Sequence, residues 1–319
     1  MSDEHFLITG AMGCIGAWVV RHLSDEGVEM TLFDISTDDK RLRLVVDEAD
    51  LGKPRRIQGD LTVTEQVLAA AEGATHIIHL GALQVPTCRA NPPLGAAINV
   101  AGTANVFEAA QAHGVRNLVY TSSVAVFGHP DLYDTDVLPN DARRHPATHY
   151  GVYKVANEDT ARVYWEENGT PSVGLRPHTV YGPGRDQGVT SYPCQALLAA
   201  VRGLPYHIEY GGWMDFQYAS DVARIVIGAA RAEPGGCDVY NLHGSVATVA
   251  SFAEAIIGTT DFAGITCGTD QLPFPRGLDD SALEARLGSV PRISLADGVA
   301  ETAEWFRRAI ADGRPLPPP

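Results

Sequence analysis

The sequence is poor in cysteine and in positive charge, and it has no long apolar run. Its five cysteines (Cys14, Cys88, Cys194, Cys237 and Cys267) are scattered, odd in number and never in Cys-x-x-Cys spacing. That pattern excludes a disulfide framework and points to reduced thiols in a cytoplasm. The eleven histidines show no ligand spacing either, so no metal is expected. Against 39 Asp and Glu stand only 24 Lys and Arg, a formal net charge of −15. Nucleic acids and anionic membranes are held by clustered cations, so neither is an expected partner. No stretch approaches the ~18 apolar residues of a membrane span. The acidic start Met1-Ser2-Asp3-Glu4 lacks the basic and then apolar pattern of a signal peptide, so no secretory leader is expected. No internal repeat is visible. A cytoplasmic location is expected.

What is there starts at the beginning. At 319 residues, 45% hydrophobic and 20% charged, the chain can bury a full core in one large or two interleaved domains. The stretch Phe6-Leu7-Ile8-Thr9-Gly10-Ala11-Met12-Gly13-Cys14-Ile15-Gly16 is an apolar run meeting a turn with glycine at every third position. Helical spacing follows through Ile15, Val19, Val20 and Leu23. Strand, glycine turn and helix in that order bring backbone N–H groups and a helix N-terminus to a pyrophosphate. Such a motif asks for an acidic residue about 20 residues later, at the end of the next strand. Thr31-Leu32-Phe33-Asp34 supplies it, with Asp34 placed to accept hydrogen bonds from a ribose.

Strand and helix patterns then alternate. Residues 57–61 and 76–80 read as strands, 64–71 and 94–113 as helices, and Leu118-Val119-Tyr120-Thr121 as a strand. Residues 129–149 read as a surface loop, 150–167 as a long helix and Val173-Gly174-Leu175-Arg176 as another strand. The expected fold is α/β, a Rossmann-type doubly wound parallel sheet with ligands along one edge, plus a smaller C-terminal substrate-binding lobe. The cofactor domain is expected over 1–180, with 216–245 returning to it. The lobe takes 181–215 and 246–319, read as short elements ending in a frayed tail from Arg314.

Tyr150 and Lys154 stand four apart on one helix face. A phenol near ~10 needs a shift of roughly three units to act as a base at neutrality. A neighbouring ammonium supplies ~1–3 of them, and a positively charged nicotinamide adds to it. Thr121-Ser122-Ser123 follows a buried strand, so its hydroxyls emerge at the ligand edge. Ser123 is the candidate for holding a substrate oxygen while Tyr150 moves the proton.

These motifs resemble the extended short-chain dehydrogenases/reductases, the group that includes sugar-nucleotide epimerases and related dehydrogenases. The matching pieces are Thr9-Gly10-x-x-Gly13-x-x-Gly16, Asp34, Gly59-Asp60-Leu61, His79-Leu80-Gly81-Ala82, Asn99-Val100-x-Gly102-Thr103, Ser122-Ser123, Tyr150-x-x-x-Lys154 and Arg176-Pro177-x-x-Val180-Tyr181-Gly182-Pro183-Gly184. The resemblance implies an NAD-dependent enzyme. Asp60 would hold the adenine amino group, Lys154 the nicotinamide ribose and Tyr150 the reacting oxygen, with Asn99 close by as part of the catalytic set. The cofactor surface would include Gly10, Gly13, Cys14, Ile15, Gly16, Asp34, Asp60, Leu61, Leu80, Gly81 and Ala82. Asp34 repels the 2′-phosphate of NADP, and Lys40 and Arg41 follow Asp38 and Asp39, so NAD is the expected cofactor.

Within the group, dehydratases carry an acidic pair directly after the catalytic hydroxyl. Val124 and Ala125 stand there, which disfavours water loss. Sugar-nucleotide enzymes commonly place an arginine before an Asp-Phe/Tyr pair to neutralise the diphosphate. Here Met214 precedes Asp215-Phe216, which favours a substrate without a nucleotide. Arg185, Arg276 or Arg292 would be the substitutes. A second, partial similarity to short-chain L-threonine 3-dehydrogenases runs through Asn91-Pro92-Pro93-Leu94, Thr190-Ser191-Tyr192 and Leu278-Asp279-Asp280-Ser281. It implies a substrate contact at Thr190. Arg185, Ser122 and His178 complete the substrate candidates, with a hydrogen-bonded core histidine as the alternative for His178. The leading expectation is reversible hydride transfer at a secondary alcohol of a carbohydrate-like or hydroxy-acid substrate, as dehydrogenase or epimerase. Nucleotide-sugar 4-epimerisation is the alternative, and a non-catalytic NAD sensor the third. Related enzymes pair the helices at 94–113 and 150–167, so a homodimer is expected there, through Ala101, Ala104, Ala109, Ala110, Ala156 and Ala161. The same alanines could instead pack against the sheet.

Overall fold

Strand β1 (His5–Thr9) buries Phe6, Leu7 and Ile8 completely, apolar on both faces as a central parallel strand requires. The computed structural model, which describes residues 4–317, sets β1 inside a seven-stranded sheet. The other strands are β2 (Glu29–Asp34), β3 (Arg55–Gln58), β4 (His76–His79), β5 (Asn117–Thr121), β6 (Ser172–Arg176) and β7 (Val239–Asn241). Their order is β7-β6-β5-β4-β1-β2-β3, and every pair is parallel. The chain reverses its direction of travel between β1 and β4. That switch point opens a crevice beyond the strand ends, where ligands of such sheets bind.

Helices cover both faces. On one side α1 (Cys14–Asp25) packs Ala17, Trp18, Val20 and Leu23 into a core shared with α4 (Ala219–Arg231). On the other, α2 (Gly102–Ala112) and α3 (His149–Asn168) cover Leu7, Ile77 and Leu118. Ala109, Ala110 and Ala161 belong to that second core, so of the two roles open to these alanines they take packing within the protomer. Residues 219–241, which form α4 and β7, pack as part of the sheet layer although they lie late in the chain.

The smaller lobe holds a three-stranded sheet. Trp213–Tyr218 runs parallel to Thr179–Tyr181 and antiparallel to Ser245–Thr248. Around it lie the helices Tyr192–Val201, Val249–Thr260 and Leu295–Ala311. Two of these are long helices where only short elements and loops were expected. Their buried faces follow helical spacing, through Val249, Phe252, Ala253 and Ile256, and through Val299, Ala303 and Phe306. Frequent glycine and proline between them obscure that spacing. The tail differs as well. Arg314 donates to the Leu44 carbonyl, Arg202 to that of Pro317, and Leu316 packs on both cores, so the chain is anchored as far as Pro317. Its last two residues, like Met1 to Asp3, lie outside the described residues. Residues 129–149 contain a short strand, Val137–Leu138, paired with Gly277–Leu278 of the lobe.

The expected helix over 94–113 is broken into Pro92–Ala96, a widened π turn at Ala97–Ala101, and α2. Such turns cluster at functional sites. Here the wide turn carries Asn99, which is fully buried.

Candidate active site

The cofactor turn is set by backbone approach. Gly10 has φ of 70°, and a Cβ there would lie 2.6 Å from the Gly81 nitrogen, so only glycine fits where the loops after β1 and β4 cross. A buried relay locks those two strand ends together. His79 Nδ1 pairs with Thr9 Oγ1 at 2.6 Å and its Nε2 with Thr103 Oγ1 at 3.0 Å. Burial pushes this imidazole down to about 3, so it stays neutral. At the end of β2, Asp34 Oδ2 accepts from the Met12 N–H at 2.9 Å and Oδ1 from Ser36 N–H. The carboxylate is thereby held against the glycine turn. Asp60 Oδ1 accepts from the N–H and hydroxyl of Thr62, both at 2.8 Å.

Tyr150 and Lys154, the candidate catalytic pair, are placed by α3. Thr148 caps its N-terminus, accepting from Gly151 N–H at 3.0 Å. A Cβ at Gly151 would come 2.1 Å from the Ala125 carbonyl oxygen, so glycine lets the helix press against the loop after β5. That approach sets Tyr150 beside Ser123, whose Oγ also accepts from Ala125 N–H at 3.1 Å. Lys154, one turn on, is 3% exposed and donates to the Thr121 carbonyl at 2.6 Å. Its ammonium lies over the Tyr150 ring, 5.5 Å from the centroid.

Burial pushes the Tyr150 phenol up to about 12, opposed first by the Ser123 hydrogen bond and then by the Arg185 cation. Burial also pushes the Lys154 ammonium down to about 8. Burial thus outweighs the groups that lower the phenol, Ser123 and Arg185. The Lys154 ammonium lies over the ring and donates to the Thr121 carbonyl, and the cation that lowers the phenol is Arg185.

A single cavity of 1220 Å³ joins these parts. It is lined by Gly10, Gly13, Cys14, Ile15, Gly16, Asp34, Asp60, Leu61, Leu80, Gly81 and Ala82 at one end, and by Ser122, Ser123, Tyr150, Lys154, His178, Arg185 and Thr190 at the other. Its size exceeds the ~300–1,000 Å³ of a single small-ligand pocket, leaving room for a dinucleotide and a substrate together. The glycine cradle, the carboxylate of Asp34 at the end of β2 and the strand-end crevice all fit NAD.

Asn99 stands behind the cavity wall. Its Oδ1 accepts from Leu83 N–H at 2.8 Å and its Nδ2 donates to the Leu83 carbonyl at 2.9 Å. Its amide is committed to positioning the loop after β4, so no part of it faces the reacting end. Ser122 is committed too. Its hydroxyl donates to Glu158 Oε1 at 2.5 Å, within a buried cluster where Arg176 reaches both Glu158 oxygens at 2.7 and 2.9 Å. His178 has both ring nitrogens engaged, with the Pro275 carbonyl at 2.8 Å and Thr179 Oγ1 at 3.0 Å, and burial lowers its pKa. It holds the loop that brings Leu272, Pro273 and Phe274 into the cavity, the alternative raised for it from the sequence.

Arg185 and Thr190 face the reacting end as a pair, Nη2 donating to Oγ1 at 2.8 Å. Arg185 Nε is buried with no partner among the described residues. Met214, where an arginine would face a diphosphate, is 0% exposed in the lobe core. Cavity-lining groups without a sequence signal include Arg89, exposed on the rim, the lobe residue Phe274, and Asp186, which binds Arg41.

Residues 6–242 match the model of the NAD dependent epimerase/dehydratase family. The chain belongs to that family. It is an NAD-dependent enzyme of the extended short-chain dehydrogenase/reductase class. It is 30% identical to the UDP-glucose 4-epimerase of Mycolicibacterium smegmatis, over 94% of this chain and 98% of that protein. It is 33% identical to human 3 beta-hydroxysteroid dehydrogenase type 7, over 71% of this chain and 63% of that one. The UDP-glucose 4-epimerase of Thermus thermophilus, solved with NAD, superposes with a TM-score of 0.83 at 25% identity, covering 96% of this chain and 99% of the other.

Proposed function

We propose that this enzyme moves a hydride between NAD and a secondary alcohol of a carbohydrate-like acid that carries no nucleotide. The observation that carries this is Arg185. Its guanidinium lines the reacting end of the cavity beside Thr190 and would set a cation there for an anionic group of the substrate. Met214, sealed in the lobe core, leaves the usual diphosphate position without a cation.

When bound, NAD supplies the hydride acceptor and a positively charged ring. Ser123 holds the substrate oxygen and Tyr150 exchanges its proton. At neutral pH the cofactor-free phenol keeps its own proton, so it acts as the acid for carbonyl reduction. It becomes the base for alcohol oxidation once added positive charge lowers it. Lys154 fixes the Tyr150 ring from its face and would hold the ribose hydroxyls of NAD. Val124 and Ala125, both buried, offer no second acid or base for dehydration.

The experiment is a panel of sugar acids, hydroxy acids, neutral sugars and L-threonine with NAD in excess, read by reduced-nicotinamide absorbance and product stereochemistry. Turnover of an acidic sugar, with no thermal stabilisation by uridine diphosphate, is expected. Steady NADH release means a dehydrogenase, and inversion without release an epimerase. Nucleotide-sugar 4-epimerisation is the second reading, favoured by the end-to-end similarity to UDP-glucose 4-epimerases. In it Arg185 and the rim residue Arg89 would serve the diphosphate. Stabilisation by uridine diphosphate together with inversion of UDP-glucose would establish it.

A further inference from the structure

The cavity has a roof, and a close charged contact joins the two lobes directly over the cofactor turn. Residues 183–186 leave the lobe strand Thr179–Tyr181 and lie against the glycine turn that follows β1. Trp18 Nε1, on α1, donates to the Pro183 carbonyl at 2.9 Å and fixes one end of this segment. The other end is held through Asp186. Arg41 Nε and Nη2 both donate to Asp186 Oδ1, at 2.8 and 2.6 Å. The remaining arm of the same guanidinium, Nη1, donates to the Met12 carbonyl inside the glycine turn at 3.0 Å. Lys40 adds a second cation 3.6 Å from Asp186 Oδ2. The pair is largely shielded from water, with side chains 13% and 8% exposed. One guanidinium therefore staples the lobe loop to the backbone that approaches the pyrophosphate.

Both sides of this staple line the same cavity: Gly10, Gly13 and Gly16 below, Gly184, Arg185 and Asp186 above. A dinucleotide lodged in the glycine cradle would lie beneath the loop, and its exit would be freer with the loop lifted. Nothing in the hydride chemistry needs Asp186, because its carboxylate is occupied by Arg41 and Lys40. Its effect is on residence.

The geometry points to Asp186 as a positioning residue that, through Arg41, straps the lobe loop across the cofactor turn and retains bound NAD between turnovers. This rests on the NAD dependence of the family and goes beyond the substrate reading. It applies whichever alcohol is oxidised. The strap also keeps Arg185, the neighbour of Asp186, aimed into the reacting end. Cofactor retention and substrate reception are thus carried by adjacent residues.

The test uses the full-length protein loaded with NAD and freed of excess. Release is followed by trapping free NAD with an unrelated dehydrogenase and its alcohol, so no substrate of this enzyme is needed. Asp186→Asn and Arg41→Gln are each expected to speed release by about ten- to a hundredfold, the range of a lost charge-assisted contact. The double variant should release no faster than either single one, because both remove the same contact. Asp186→Glu should stay within about threefold of wild type. Thermal melts of the cofactor-free proteins separate a loosened strap from a damaged fold. If Asp186→Asn folds poorly, the charge-swapped pair Arg41→Asp with Asp186→Arg should still restore slow release. Wild-type release rates in the single variants, or additive effects in the double variant, would overturn the strap. Wild-type protein that takes up no NAD at all would overturn the cofactor assignment itself, a separate and recognisable result.

Discussion

At the scale of single residues, the site rests on a phenol and an ammonium that burial drives in opposite directions. Tyr150 is pushed up to about 12 and Lys154 down to about 8. The lysine has a consequence for stability. The native state sheds its proton near 8, whereas the unfolded chain keeps it to about 10.4. Between those values the unfolded state binds more protons, so this group makes stability rise with pH. Buried thiols and phenols such as Tyr150 act oppositely at higher pH, so the comparison must be with a variant. The stability of cofactor-free wild type relative to Lys154→Met should rise by about 2 kcal/mol from pH 7 to pH 9.5. Chemical denaturation at the two pH values checks this, and a flat difference would show an uncharged or solvated lysine. Arg185→Met should raise KM for an acidic substrate by about ten- to a hundredfold and leave a neutral analogue unchanged. Steady-state kinetics on the pair reads it directly.

At the scale of elements, α3 does more than present Tyr150 and Lys154. One further turn along the same face, Glu158 is 4% exposed and binds Ser122, Arg176 and Arg144. This ties the helix to the loop carrying Ser123 and to the end of β6. Glu158→Ala strands the Arg176 guanidinium and should destabilise the fold by about 3–5 kcal/mol. A denaturant midpoint near wild type would show that the cluster contributes little. The glycine turn, β1, β2, β4, β5, β6 and α3 were legible in the sequence because each combines strong periodicity with a motif of fixed spacing. By contrast, β3 lies at Arg55–Gln58 instead of 57–61, and β7, three residues long, was not legible as a strand. The π turn was not legible either, since Ala97 to Ala101 continue a helical pattern and only the contact between Asn99 and Leu83 reveals the widened backbone. Ser122 and Ser123 are adjacent and chemically identical. Which hydroxyl is taken up by a buried carboxylate is decided by Glu158, 36 residues from Ser122. The pairing of Arg41 with Asp186 joins residues 145 apart in sequence, from different lobes, and no local pattern encodes it.

At the scale of the whole molecule, a parallel sheet and a smaller lobe line one cavity of 1220 Å³ that takes in both the glycine turn and Tyr150. Among the described residues no helix is long and apolar enough to cross a membrane. A homodimer through α2 and α3 remains a proposal. Val152, Val163 and Trp165 are exposed on α3, while the alanines Ala109, Ala110 and Ala161 are spent on the protomer core. The central claim is that Tyr150 exchanges the substrate proton as hydride passes to NAD. It is tested most directly by mixing NAD-loaded wild type and Tyr150→Phe with an acidic sugar that wild type turns over, following reduced-nicotinamide absorbance in a single turnover. Reduction in wild type should be slowed by about 10²–10⁴ in Tyr150→Phe, with NAD affinity unchanged. Equal rates in the two proteins would refute the proton-transfer role of Tyr150.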